Sequence, residues 1–217
     1  MSDRIKKAYK ESSGIYDDAL TQSSLFGKLY IKLFWDGMDV RGMTDKVLAN
    51  IPADFSGKLL DVPCGTAVFT YEKWKSLKNA DITCVDYSPS MLAQAEKRME
   101  GEPHIHCKQG DVGNLPMADE TFDLVQTMNG LHVFPDKPKA LRELYRVLKP
   151  GGLFIGSLYV KGESRKTDLI AKTLLEHEGW LTRPFWTKEQ WQSYLERHYH
   201  DVKVGTVASM AYFSCRK

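Results

Sequence analysis

From Lys58 onward the chain alternates short apolar runs with amphipathic stretches. KLLDV (58–62) has the character of a buried strand, and VFTYEKWKSL (68–77) follows with apolar residues at helical spacing. DITCVDY (81–87), rich in β-branched residues, predicts a second strand. SPSMLAQAEKRME (88–100) predicts a capped helix, in which Ser88 accepts orphan backbone N–H groups, Pro89 suits the first turn and Gly101 closes the end. HIHCKQGD (104–111) and TFDLVQTM (121–128) give a third and a fourth strand, with the polar MADE turn between them. KPKALRELYRVLK (137–149) gathers Ala140, Leu141, Leu144, Tyr145, Val147 and Leu148 on one face, and GGLFIGSLYV (151–160) is a fifth strand. Strands alternating with helices imply βαβ units, hence a parallel sheet covered on both faces.

The flanks differ. The first 35 or so residues mix charge with Tyr9, Tyr16, Phe26, Tyr30, Phe34 and Trp35, and suit irregular helices outside the regular core. Residues 39–50 predict a further helix, ended by Ile51-Pro52. Past the fifth strand, 161–186 is polar but carries Trp180, Phe185 and Trp186. A helix near TKEQWQSYLERH (187–198) precedes DVKVGTV (201–207) and SMAYFSCRK (209–217), two strands with almost no linker and therefore antiparallel to each other. The expected organisation is one domain over 1–217, with a helical cap at 1–50, a core at 57–160 and a distinct segment at 161–217.

Composition narrows the classes. Hydrophobic residues at 42% and charged residues at 27% are those of an ordinary globular chain, and a net charge of +2 lacks the basic bias of a dedicated nucleic-acid binder. Cys64, Cys84, Cys107 and Cys215 lie far apart with no C-x-x-C pair, which suits reduced thiols in a cytoplasmic protein better than disulfides or metal ligands. His104 with His106, and His198 with His200, alternate at strand spacing without the further ligands a metal site needs, so no metal is expected. MSDRIKKAYKE shows no secretory h-region, and the apolar stretch at 153–160 is too short to span a bilayer. The pattern leaves the oligomeric state open.

LLDVPCGTA (59–67) carries the candidate chemistry. An apolar strand ends in Asp61, a tight Pro63-Cys64-Gly65-Thr66 turn follows, and a helix begins, as in nucleotide-binding strand–turn–helix units. A dinucleotide loop uses three glycines so that backbone can approach a pyrophosphate. Here Pro63 and Ala67 occupy the outer positions and only Gly65 remains, which argues against NAD, FAD and a nicotinamide-dependent oxidoreductase. A cofactor without phosphates needs one close backbone approach, at Gly65, and an anchor for a cationic amine, at Asp61. Asp86 ends the second strand, where a carboxylate can accept from both hydroxyls of a ribose, and Tyr87 offers a ring to stack on a base. Asp111, ending the third, suits an adenine amino group, and the Val112 N–H suits a ring nitrogen. Three acids at the carboxyl ends of three parallel strands line the crevice where such sheets bind ligands.

LLDVPCGTA, CVDYSPSML, QGDVGNLPMADETFDLVQTMNGLHVF and LRELYRVLKPGGLFIGSLY, in that order, resemble the successive motifs of the class I S-adenosylmethionine-dependent methyltransferases, and most of all their small-molecule, type 11 subgroup. The resemblance covers about residues 57–160, with weaker continuity through the C-terminal strands. It implies an α/β, Rossmann-like, seven-stranded and mostly parallel sheet whose last strand is antiparallel, with helices on both faces and an N-terminal helical cap. It also implies S-adenosylmethionine as cofactor and S-adenosylhomocysteine as product, bound by the 57–160 core. Carried over by position, Asp61, Gly65 and Thr66 hold the methionine portion, and Asp86 binds the ribose. Tyr87 and Met91 flank the adenine, and Asp111 with Val112 reads its edge. Met128 sits where the fourth strand offers backbone to the amino-acid end, and Tyr16, in a Tyr-Asp pair, resembles the aromatic that closes over the cofactor. Ala67 departs from the family's Gly-x-Gly-x-Gly turn and narrows the space beside the cofactor.

The function expected is methyl transfer to a small, apolar or aromatic molecule, with no nucleic acid partner and no membrane span. A quinone ring carbon is the nearest alternative acceptor. A tRNA or protein acceptor is disfavoured by the charge, and a binder of S-adenosylmethionine without catalysis is the alternative of a different class. His132, in NGLHVF, is the candidate general base, set against a packed histidine. An activated sulfonium can react through positioning and dehydration alone. Trp35, Tyr159 and Trp186 are candidates for the acceptor pocket, set against a place in the core.

Overall fold

The computed structural model describes residues 31–32 and 37–217; Tyr16, Trp35 and most of the expected 1–50 cap lie outside the described residues. The strands are β1 (Gly57–Asp61), β2 (Ala80–Asp86), β3 (Ile105–Gln109), β4 (Phe122–Met128), β5 (Leu148–Tyr159), β6 (His200–Val207) and β7 (Met210–Arg216). They form one seven-stranded sheet in the order β3-β2-β1-β4-β5-β7-β6. β1 to β5 pair in parallel, whereas β7 runs antiparallel to both β5 and β6, as the short linker in the tail requires. The helices are α1 (Val40–Leu48), α2 (Tyr71–Ser76), α3 (Pro89–Arg98), α4 (Lys137–Val147), α5 (Arg165–Ile170), which runs on as a π-helical stretch Ala171–Leu175, and α6 (Lys188–His198). None of the described helices is long and apolar enough to cross a membrane.

Neighbouring strand residues bury on opposite faces, which is why the central strands are apolar throughout. Leu59, Ile82, Leu124 and Ile155 pack against Met43 and Val47 of α1, Trp74 of α2, and Leu92 and Ala95 of α3. Leu60, Val85, Val125 and Phe154 face the other way, onto Ala140, Leu141 and Leu144 of α4 and Trp191 and Leu195 of α6. The helix starts follow the capping chemistry of the sequence. Ser88 Oγ accepts from Met91 N, Asp136 from Lys139 N, and Thr187 with Gln190 closes a reciprocal capping box.

Several boundaries differ from the sequence pattern. α2 starts at Tyr71 rather than near Val68: Ala67 adopts a left-handed backbone (φ 57°), and 67–70 form a turn closed by Thr70 N donating to Ala67 O at 3.1 Å ahead of the helix. β3 ends at Gln109, leaving Asp111 in the turn beyond it, bridged to Asn114. His198 ends α6 and His200 opens β6, so the two share no strand face. The 161–186 segment folds back over the end of β5: Tyr159, Ala171, Leu175, Leu181, Phe185 and Met210 form a third cluster with Ile31, Met38 and Val40.

Candidate functional site

An open cleft lies at the carboxyl ends of β1, β2 and β4. Asp61, the turn 62–70, Asp86 to Ser88, Met91, Gly110 to Val112, Gln126, Met128 and Asn129 line it, with Val133, Phe134 and Pro135 at its apolar end. The sheet thus brings together every cofactor residue expected from the sequence that lies among the described residues. Met128 is 8% exposed, and its sulfur accepts a hydrogen bond from Thr44 Oγ1 at 3.7 Å.

Asp61 stands opposite Cys84 of β2 and Gln126 of β4, and is 1% exposed. Its Oδ2 accepts from Trp74 Nε1 at 2.8 Å and from Thr70 Oγ1 at 3.3 Å, and its Oδ1 accepts from Gln126 Nε2 at 2.9 Å. Burial pushes its pKa up to about 7; the Trp74 and Thr70 hydrogen bonds pull it back only in part, and nearby Asp86 adds to the rise. The buried Oε1 of Gln126, which lines the cleft, has no hydrogen-bond partner among the described residues.

Asp86 holds the turn itself. Its Oδ2 accepts from Gly65 N at 2.8 Å, and its Oδ1 accepts from Ser88 N, also at 2.8 Å. Burial raises its pKa, and the N–H groups of Ser88, Gly65 and Tyr87 oppose the rise. Each carboxylate oxygen keeps capacity for a further donor. Some of the turn's donors are engaged: Cys64 N donates to Val85 O of β2 and Ala67 N to Cys64 O, both at 2.9 Å. Gly65 has φ 54°, and a Cβ there would meet nothing within 4 Å, so the glycine leaves open space at the cleft. Asp111 Oδ1 accepts from Gly113 N at 2.8 Å, and Val112 N donates to no group among the described residues.

Three candidates do not line the cleft. His132 accepts from Tyr159 N at Nδ1, 3.0 Å away, and a neutral ring so engaged carries its proton on Nε2, where it donates. Burial, with the Lys137 charge adding to it, lowers its pKa to about 3. A base would need a free lone pair, and the only one this tautomer has, on Nδ1, already accepts from Tyr159 N. Tyr159, 2% exposed, donates its hydroxyl to Asp168 Oδ1 at 2.7 Å and meets Phe185 edge-on. Trp186 stacks on Trp191 at 5.3 Å between ring centres. Both aromatics therefore anchor the 161–186 segment.

Sequence reasoning missed Gln126, Asn129 and Gly130. A Cβ at Gly130 would overlap Pro63 Cδ and come within 2.7 Å of Phe134 Cζ, so that glycine lets the β4 loop close on the turn. The NG pair at 129–130 was the available signal. Among the described residues, no group of three or more His, Cys, Asp or Glu side chains is placed to hold a metal ion.

Residues 60–156 match the methyltransferase domain family. A demethylmenaquinone methyltransferase of Desulfitobacterium hafniense is 35% identical over 123 residues, covering 55% of this chain and 48% of that protein. One from Staphylococcus haemolyticus is 37% identical over 110 residues, covering 50% and 46%. The chain spans about half the length of these curated relatives. A solved S-adenosylmethionine-dependent methyltransferase from Thermotoga maritima shares the fold, with TM-score 0.72 at 17% identity over 98% of this chain and 99% of that one. The stretch that matches is the stretch that builds the cleft: residues 60–156 are similar to the methyltransferase domain family, and the sheet that carries them has the fold of a solved S-adenosylmethionine-dependent methyltransferase.

Proposed function

We propose that the protein transfers a methyl group from S-adenosylmethionine to a small apolar acceptor of the quinol class, with 1–217 acting as one unit. The reading rests on one observation. The cleft offers acceptors for hydroxyl and amine groups at Asp61, Gln126 Oε1, Asp86 and Asp111. That set fits a cationic adenosyl cofactor and repels a pyrophosphate.

When bound, the cofactor supplies a methyl group already activated on a sulfonium. Asp86 receives the ribose hydroxyls at the two oxygens that also fix Gly65 and Ser88. Gln126 Oε1 and the remaining Asp61 lone pair receive the amine, Asp111 and the Val112 N–H take the adenine edge, and Met91 packs beside the ring. Phe69, Val133, Phe134 and Pro135 wall the apolar end and exclude water from the acceptor. His132 positions the loop before α4 through Tyr159 N and Thr182. Rate then comes from alignment and dehydration.

Support for a quinol comes from the names of the relatives together with that apolar wall. The thiol-rich, disulfide-free chain suits a cytoplasmic setting. The test is incubation with methyl-labelled S-adenosylmethionine and a chemically reduced, demethylated naphthoquinol. Label is expected in the solvent-extracted quinone, and lost with Asp86→Ala. Label that enters RNA or protein from a cell extract but never the quinol would overturn the acceptor.

A further inference from the structure

Cys64, Cys84 and Cys107 are far apart in sequence, but the sheet sets them in one row. β2 and β3 pair in parallel with Cys84 opposite Cys107, and register partners project their side chains from the same face. Cys64, just past β1, is tied to β2 by its N–H donating to Val85 O at 2.9 Å. Exposure grades along the row. Cys84 is 0% exposed and Cys64 8%, whereas Cys107 sits half-buried on the edge strand. Neighbouring strands lie roughly 4.8 Å apart, inside the range of about 4.4–6.8 Å that a disulfide needs between Cα atoms.

We propose that Cys107 and Cys84 form a reversible oxidation site, converted by hydrogen peroxide into a disulfide that links β2 to β3. The Cys107 thiolate attacks one peroxide oxygen, the O–O bond breaks, and water leaves after protonation, giving a sulfenic acid. The Cys84 thiol then attacks that sulfur; the S–S bond forms, the S–O bond breaks, and the hydroxyl departs as water with the Cys84 proton. Two thiols are oxidised and one peroxide is reduced to two waters. A dithiol reductant reverses the change.

The order of attack follows from the surroundings. The Cys84 hydrogen bond holds the Cys107 thiol below its usual pKa, and Cys107 is the accessible one. Hydrogen bonds to Cys107 and Cys64, then burial, push the Cys84 thiol up, so it serves as the resolving group. Cys64 is buried with its thiol donating to Gly65 O, and Cys215 with its thiol donating to Phe154 O across the sheet. Neither offers peroxide a thiolate.

The test treats the native protein with a small molar excess of hydrogen peroxide, then alkylates it in denaturant and maps the peptides. Two thiols should disappear and one cross-linked pair, Cys84 with Cys107, should appear, both reversed by dithiothreitol; Cys64 and Cys215 should stay alkylatable. Cys107→Ser should lose no thiol under the same exposure. With Cys84→Ala, oxidation should stop at a Cys107 sulfenic acid, captured by a 1,3-dione probe. A Cys64–Cys84 link, a link between two chains, or four free thiols after exposure would each overturn the assignment. Circular dichroism of both variants separates loss of the site from loss of the fold. None of these readouts depends on methyl transfer.

Discussion

Replacing Asp61 by Asn separates what the site needs from what the fold prefers. The Asp61 carboxyl is 1% exposed, and burial pushes its pKa up to about 7 from an ordinary 3.8. A carboxyl raised in this way favours the protonated fold. Between about pH 4 and about pH 7 the folded chain holds a proton that the unfolded chain has released. Stability is therefore lost as pH rises through that window, and levels off above it. Each pKa unit is worth about 1.4 kcal/mol, so three units set a ceiling of about 4 kcal/mol. Asp61→Asn keeps the shape and never ionises; its carbonyl oxygen can still accept from Trp74 Nε1 and Thr70 Oγ1, while its NH2 loses the bond from Gln126 Nε2, a cost that does not change with pH. Urea unfolding of both proteins from about pH 4 to about pH 8 gives the difference in stability, and titrations common to both cancel. That difference should grow in favour of Asp61→Asn across the window, by up to about 4 kcal/mol, and then flatten. The variant should bind S-adenosylhomocysteine more weakly, since a neutral amide offers less to a cationic amine. A difference that stays flat from acid to alkaline, or moves in favour of the wild type as pH rises, would refute the reasoning.

Gly130→Ala should destabilise by about 1–3 kcal/mol, because its Cβ would overlap Pro63 and crowd Phe134 and Thr127. Cofactor affinity should fall with it, and an unchanged urea midpoint would count against this packing. His132→Gln retains an acceptor for Tyr159 N and should keep the methyl-transfer rate within about tenfold, whereas loss of a true general base costs roughly a hundredfold or more. Because burial lowers the His132 pKa from 6.5 to about 3, the wild type loses stability as pH falls below 6.5. The same variant should flatten that acid limb. In Ala67→Gly, relief of a left-handed alanine worth about 1–2 kcal/mol opposes about 0.5–1 kcal/mol of chain entropy and about 0.8 kcal/mol of lost methyl burial. The thermal midpoint should therefore move by only a few degrees, and a collapse of the fold would contradict the balance.

The strands and their acids were legible because both are local. A β-branched run ending in Asp86 states its own period and its own edge, and parallel pairing then aligns Asp61 and Asp86 at one end of the sheet. The antiparallel β7 followed from a linker too short for a crossover. What stayed hidden depends on register or on folding back. The thiol row exists because β2 and β3 pair with Cys84 opposite Cys107, and no local pattern carries that register. Tyr159 and Trp186 look alike in sequence whether they line a pocket or a core, and 161–186 settles the matter by closing over β5. Ala67 shows the same limit. The sequence reading saw a methyl group narrowing a space, whereas the structure finds a left-handed backbone in the turn ahead of α2.

The most direct test of the central claim is calorimetric titration of S-adenosylhomocysteine into the wild type and into Asp86→Ala. The account predicts saturable one-to-one binding by the wild type. In the variant, which loses the carboxylate acceptors of the ribose and of Gly65 N, binding should weaken roughly tenfold to a hundredfold. Wild-type protein that ignores S-adenosylhomocysteine, or an Asp86→Ala protein that is folded and binds it equally well, would contradict the assignment of the cleft.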